Sequence, residues 1–173
     1  DFDARHSGRM YVACDGGIIR SEDFGKTWKR MSNDLINAMV YSTATHPENP
    51  DFMIGGFHDH GLQRLLLNNG NRTWTRWSTN DGINVLIDPK NDGVIYGNVQ
   101  TGLIVKSFSN GDGVNTSFWV TDGLQETGAW DTPLVMNQEN TNILYTATNA
   151  AIYKTTNGAL SWRRVGNFPS VRT

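Results

Sequence analysis

Tryptophan returns at a near-constant interval along this chain, at positions 28, 74, 119 and 162, so that the spacings are 46, 45 and 43 residues. Each lies in a polar, turn-forming stretch: "SEDFGKTW", "LNNGNRTW", "SNGDGVNTSFW" and "TTNGALSW". A second series keeps the same phase. "DARHSGRMYV", "HPENPDFMIG", "DPKNDGVIYG" and "NQENTNILYT" align so that Tyr11, Ile54, Tyr96 and Tyr145 share one position, and a short apolar run ("GGIIRS", "HGLQRL", "TGLIVKS", "AAIYKT") follows each. Self-similarity at this period constrains the fold strongly, because each unit must be one supersecondary structure whose faces are buried by its neighbours.

The clearest period reads as four strands: "GINVLIDP", "GVIYGNV", "GLIVKSF" and "SFWVTD", separated by turn formers. A four-stranded meander repeated every ~40–50 residues is the pattern of a β-propeller blade. A parallel β-helix would need shorter coils, and a sandwich would not repeat its turn chemistry. Composition agrees, since 18 glycines, six tryptophans and few lysines suit a turn-rich, all-β chain. The expected blades are 1–32, with an incomplete first strand, 33–79, 80–122 and 123–167, followed by a tail at 168–173. Together they form a single propeller region, 1–173.

Charge and composition exclude several functions. A net charge of −2 from 15 basic and 17 acidic residues gives no footprint for nucleic acid. No stretch reaches the ~18 apolar residues of a membrane span, so no membrane insertion is expected. The single cysteine, Cys14, rules out an internal disulfide framework and reads as a small strand residue. No cofactor is expected.

"SEDFGKTW" falls on the hairpin between third and fourth strands. Asp23 can accept from backbone N–H groups ahead of it, Gly25 can take positive φ, Ser21 and Thr27 can close the loop, and Trp28 can anchor the next strand in apolar packing. A calcium loop is the competing reading. Calcium wants six to eight oxygens, and each of these turns supplies one or two carboxylates or none, so no metal is expected.

Ser21, Asp23, Gly25, Thr27 and Trp28 resemble the Asp-box, or BNR, repeat at every position. In later copies Asn69 and Asn157 replace the aspartate, Asn71 and Ala159 replace the glycine, and the third copy carries an insertion around Asp112, while Trp74 and Trp162 keep the tryptophan. The likeness covers nearly the whole chain and is to the secreted Asp-box propellers of Bacteroidetes-type bacteria. More distantly the pattern is that of sortilin ectodomains, a photosystem II assembly factor and xyloglucan-cleaving glycoside hydrolases. The resemblance implies that the Asp-box residues hold turns, that the chain is extracellular or at the cell surface, and that rings have seven or more blades. Four periods therefore suggest a piece of a larger propeller, whose first and last blades are exposed or covered by the remaining blades or by another copy of the chain.

In such a fold the second-to-third-strand loops and the blade-to-blade loops converge opposite the Asp-box turns. The residues gathered there would be Asp15, His58, Asp59, His60, Asp81, Glu126, Trp130 and Asp131. His58 and His60 with Asp59 could bind a metal, but a third convergent ligand is not identifiable, and an exposed polar loop is the plainer reading. Asp81 and Asp131 could be the acid and base of glycoside hydrolysis, or turn residues. Trp130 could stack on a sugar or pack under its own loop.

Two functions follow: a binding or scaffold module presenting this loop face to a glycan or protein partner, and a fragment of a xyloglucan-cleaving glycoside hydrolase. A sialidase is disfavoured. It needs an arginine cluster and a Tyr–Glu pair, the Arg-Ile-Pro segment expected near its start is absent, and Arg20, Arg64, Arg72, Arg76, Arg163 and Arg164 fall mostly on third and fourth strands near the Asp-box side. The sequons at Asn71 and Asn115 lie in Asn-rich turns and carry little weight.

Overall fold

The computed structural model describes residues 3, 5–14, 17–31, 38–68 and 70–168. Its regular structure is all-β apart from two 3-10 turns, Gln100–Gly102 and Val114–Thr116. The chain groups into two compact units, Asp1–Ala38 and Met39–Thr173.

The first unit holds one antiparallel sheet of β1 (Met10–Cys14), β2 (Gly17–Ser21) and β3 (Lys29–Arg30). Tyr11 pairs with Arg20 across it. The turn leaving β2 is built from local side-chain bonds. The Ser21 hydroxyl accepts from Gly25 N–H (2.8 Å) and donates to Asp23 Oδ1 (2.8 Å), and Asp23 accepts from the Thr27 hydroxyl (2.6 Å) and backbone N–H (2.8 Å). These donors hold the Asp23 carboxyl down to about 2, the Thr27 hydroxyl contributing most. Phe24 and Gly25 both take positive φ, which closes the loop.

The second unit contains three four-stranded meanders. They are β4 (Val40–Thr45), β5 (Phe52–Phe57), β6 (Gly61–Asn68) and β7 (Asn71–Ser78); β8 (Gly82–Ile87), β9 (Ile95–Val99), β10 (Ile104–Ser107) and β11 (Ser117–Trp119); and β12 (Leu134–Met136), β13 (Leu144–Ala147), β14 (Ala151–Thr155) and β15 (Arg163–Asn167). In each, strands neighbour one another in sequence order, the expected blade topology. Alternation of buried and exposed residues along β12 to β14 places one set of side chains on each face.

Within the second unit, the first two sheets each bury one face against the sheet that follows. Phe52, Ile54 and Leu62 meet Val85, Ile95 and Val105, and Tyr96 and Ile104 meet Leu134, Met136, Leu144 and Tyr153. Full burial of such side chains contributes about 1.5–3 kcal/mol each. Where β5 meets β8 the spacing requires glycine, since a Cβ on Gly56 would sit 2.3 Å from the Ile83 carbonyl oxygen. By register Asn98 is the next sheet's counterpart of Gly56 and Thr132 that of Ile83, and there an amide-to-carbonyl bond replaces the close approach.

The last turn reproduces the first with altered residues. Thr155 Oγ1 donates to Asn157 Oδ1 (2.8 Å) and accepts from Ala159 N–H (3.2 Å), while Asn157 Oδ1 accepts from Ser161 N–H (3.0 Å) and its amide donates to Ser161 Oγ (2.9 Å). In the third sheet Ser107 Oγ accepts from Ser109 and Gly111 N–H groups. The β6–β7 connection is instead a two-residue hairpin closed by the Asn68–Asn71 pair; Asn69 lies outside the described residues.

The tryptophans differ from expectation. Trp162 is buried and its indole N–H donates to Val120 O (2.8 Å), but Trp28 and Trp74 are more than two-fifths exposed and so do not serve as buried anchors. Trp74 instead meets the Phe57 ring edge-on, and Trp77 takes the buried place. The tight hairpin extends β6 and β7, and a bulge next to Trp77 shifts which side chains face inward.

Candidate functional site

The loops opposite the turns converge within the second unit. The β5–β6 connection bends at Asp59 (φ 59°) and Gly61 (φ 74°), and the Asp59 N–H donates to Asp81 Oδ1 (2.6 Å) in the β7–β8 connection. Asp81 N–H in turn donates to Gln100 Oε1 (2.8 Å), and its carbonyl accepts from Gln100 N–H (3.1 Å). One aspartate thus ties three loops together.

The long 120–133 segment reaches the same place and is fastened at its end. Thr132 O accepts from the side-chain amides of Asn84 (2.8 Å) and buried Asn98 (2.5 Å), whose Oδ1 accepts from Asn84 N–H (2.8 Å). The Asn84 amide also donates to Asp131 Oδ1 (3.3 Å). Thr132 Oγ1 donates to Ala129 O and lies so near Gly128 that a Cβ there would approach to 2.0 Å. Held this way, Trp130 donates its indole N–H to the Tyr41 hydroxyl (3.1 Å) and lies 6.3 Å, centroid to centroid, from the His58 ring, which packs edge-on against Tyr41. Trp130 remains 49% exposed.

Of the residues expected to gather on this face, His58, Asp59, Asp81, Trp130 and Asp131 are linked by these contacts. His60 turns its Nδ1 to His58 O (2.8 Å) within its own turn. Glu126 is committed elsewhere: its Oε2 accepts from Tyr153 OH (2.6 Å) and Thr148 Oγ1 (3.2 Å), and Arg164 sits 3.3 Å from Oε1. The Tyr153 hydroxyl, above all, lowers the Glu126 carboxyl below its ordinary range. Asp15 lies outside the described residues.

Where no third ligand was identifiable for the histidine loop, Asp81 supplies one. His58, Asp59 and Asp81 each place a donor atom within 4.8 Å of the others. Three donors are half of what calcium requires, and Asp81 Oδ1 already serves Asp59 N–H. The set is a polar cluster and receives no metal assignment.

Tyr41, Asn84, Asn98, Gln100 and Thr132 were not singled out from sequence. The available signal was the pair of asparagines interrupting the otherwise apolar strands "GINVLI" and "IYGNV". Tyr41 opens an ordinary strand and carries no local mark. Chemically the face offers an exposed indole with its N–H already satisfied, beside carboxylate and amide groups. That combination suits a ligand with both an apolar face and hydroxyl or amide groups.

Fold comparison agrees with blade-type architecture. An ancestral GH74 enzyme matches 95% of this chain at a TM-score of 0.56 and 22% identity, over 23% of its own length. The GH74 xyloglucanase from Xanthomonas campestris matches 91% at 0.53 and 12% identity, over 28% of its length. YCF48 bound to D1 peptide matches 93% at 0.50 and 17% identity, over 50% of its length. At these identities the likeness establishes the fold, that of β-propeller blades, and the chain spans about a quarter of the GH74 structures. No protein-family model matches the sequence, and no curated protein does. Among the described residues no helix is long and apolar enough to cross a membrane.

Proposed function

We propose that this chain is a segment of an extracellular Asp-box propeller, with blades at 1–32, 33–79, 80–122 and 123–167, whose loop face binds a glycan. The observation that carries this reading is Trp130, half exposed with its N–H capped by Tyr41 and its ring against His58, whose loop meets Asp81, while the adjoining Asp131 is held by Asn84. Sugars present apolar C–H faces ringed by hydroxyls, so a fixed indole flanked by hydrogen-bonding groups matches them. A flexible peptide partner would suit the same groups less specifically. The Ser21–Trp28 and Thr155–Trp162 turns act as structural Asp boxes, which their local hydrogen-bond networks support.

The test is a glycan-array screen followed by calorimetry with the best binder. Trp130→Ala should weaken binding at least tenfold, the loss of one good stacking contact at about 1.4 kcal/mol per decade. Unchanged affinity would overturn the reading. The second reading, hydrolysis of a xyloglucan-type chain, draws on the GH74 fold neighbours and on the presence of Asp81 and Asp131 on one face. Each carboxylate accepts a hydrogen bond at Oδ1, from Asp59 N–H and from the Asn84 amide respectively. Release of reducing ends from xyloglucan, lost in Asp81→Asn or Asp131→Asn, would establish hydrolysis instead.

A further inference from the structure

The two buried tryptophans differ in one respect. Trp162 donates its indole N–H to Val120 O (2.8 Å), whereas the N–H of fully buried Trp77 has no hydrogen-bond partner among the described residues. A buried indole N–H ordinarily finds an acceptor. The Ser117 hydroxyl is likewise shut away from solvent and unpartnered. Both residues line one pocket of about 110 Å³ between the β4–β7 and β8–β11 sheets.

The local backbone builds this pocket. The bulge beside Trp77 leaves that side chain facing the neighbouring sheet, and a Cβ on Gly111 would come within 2.7 Å of Trp77 Cγ, so the turn takes glycine there, at a φ of 68°. Register pairs Val105 with Trp119 and Ser107 with Ser117, and cross-strand partners share a face. Ser117 and Trp119 therefore stand on the side of the β8–β11 sheet that carries Val105 and meets Trp77. The longer third turn, whose Val114–Thr116 stretch winds as a 3-10 turn, adds Val114 as another apolar wall.

The chemistry of the lining narrows the ligand. No charged side chain among the described residues lines the pocket, so an ion would lie there without a counter-charge. The volume is several times what a single water requires. Val114 and Trp119, lining side chains that are 47% and 52% exposed, form a way in from solvent. An acetamido group matches each feature. It is neutral, its carbonyl would accept from the Trp77 N–H, its N–H would donate to the Ser117 hydroxyl, and its methyl would lie against Val105 and Val114. Both stranded groups would then gain partners.

We infer that this pocket is a binding site for the acetamido group of an N-acetylated sugar. Trp119 at the mouth favours a sugar as the carrier, because its half-exposed ring offers a pyranose an apolar face to lie on. The pocket shares no residue with the Trp130 face, so the two sites are tested separately.

The test reads the tryptophan indole N–H signals by NMR in the full chain. N-acetylglucosamine should move the Trp77 signal, assigned by its loss in Trp77→Phe and by its displacement in Ser117→Ala, and glucose should not. In NMR titrations, Trp119→Ala, a change at an exposed position, should weaken the affinity for N-acetylglucosamine about tenfold, and Ser117→Ala should also weaken it. A Trp77 signal that N-acetylglucosamine leaves unmoved would assign the pocket to water and overturn the inference. An equal response to glucose, or an affinity unchanged in both Trp119→Ala and Ser117→Ala, would overturn it too. So would a stronger response to Nε-acetyl-lysine amide, because an acetylated protein would then be the partner.

Discussion

Replacing Asn98 by alanine tests how the candidate site is held in place. Asn98 is fully buried, and its amide bridges two sheets by donating to Thr132 O while accepting from Asn84 N–H. Both partners are backbone groups of fixed polarity, so the orientation of the amide is determined. In Asn98→Ala the Thr132 carbonyl keeps the Asn84 side-chain donor, but the Asn84 N–H loses its acceptor. One stranded donor costs about 1–3 kcal/mol and the lost second bond to Thr132 about 0.5–1.5 kcal/mol, for a total of about 1.5–4.5 kcal/mol. With a urea slope of about 2 kcal/mol per molar, the midpoint should fall by about 1–2 M. Asn98→Asp is the sharper arm, because it keeps the acceptor for Asn84 N–H but sets a carboxylate against the Thr132 carbonyl, and it should be less stable than the alanine variant at pH 7. Urea unfolding followed by tryptophan fluorescence reads both. A loss under about 0.5 kcal/mol for alanine, or an aspartate variant as stable as the parent, would refute the bridge.

Three further outcomes follow. The Asp23 carboxyl is depressed from its ordinary 3.8 to about 2, so its contribution is fully present above about pH 4 and is lost as pH falls toward 2; Asp23→Asn should flatten that window in an acid titration while preserving the turn, as Asn157 does in the last sheet. Glu126 is likewise depressed, with its stabilisation lost as pH falls below the ordinary glutamate range, and Tyr153→Phe should raise its titration midpoint by carbon NMR, no rise refuting the bond. Lys106→Met should cost about 1–2 kcal/mol, because the charge-assisted bond to Gly158 O is worth about 1.5–3 kcal/mol and relief of burying the ammonium offsets part of it; a variant as stable as the parent would show that this bond contributes nothing.

The blade fold was legible because its cues are local or periodic. Ser21, Asp23 and Thr27 sit within four residues of their partners, and Tyr11, Ile54, Tyr96 and Tyr145 recur in phase, so both patterns survive in the sequence. Legibility failed where a short-range change altered which side chain faces inward. A tight hairpin closed by the Asn68–Asn71 pair replaced a longer loop, and Trp77 took the buried place expected of Trp74. Glu126 was read as part of the loop face because it sits in the right segment. Nothing within that segment reveals that Tyr153, 27 residues on, captures it.

The site is harder to read than the turns for a physical reason that also explains why function belongs at that end. At the turn end, the bonds that shape the Ser21–Trp28 and Thr155–Trp162 turns span two to four residues, and Asp or Asn, Gly or Ala give the same arrangement, although Arg64 and Lys106 also reach the turns of the following sheets. At the loop end the bonds span 22 residues between Asp59 and Asp81, 34 between Asn98 and Thr132, 47 between Asn84 and Asp131, and 89 between Trp130 and Tyr41. Those contacts exist only once separate sheets are stacked, and no single repeat contains the information for them. A loop end fixed by its neighbours can therefore change residue by residue without unfolding any blade, whereas the turn end accepts only those changes that keep its local acceptors, as Asp23 and Asn157 do. Residues such as Tyr41 and Trp130 are free to be selected for what they bind, because the turns opposite them already secure the fold.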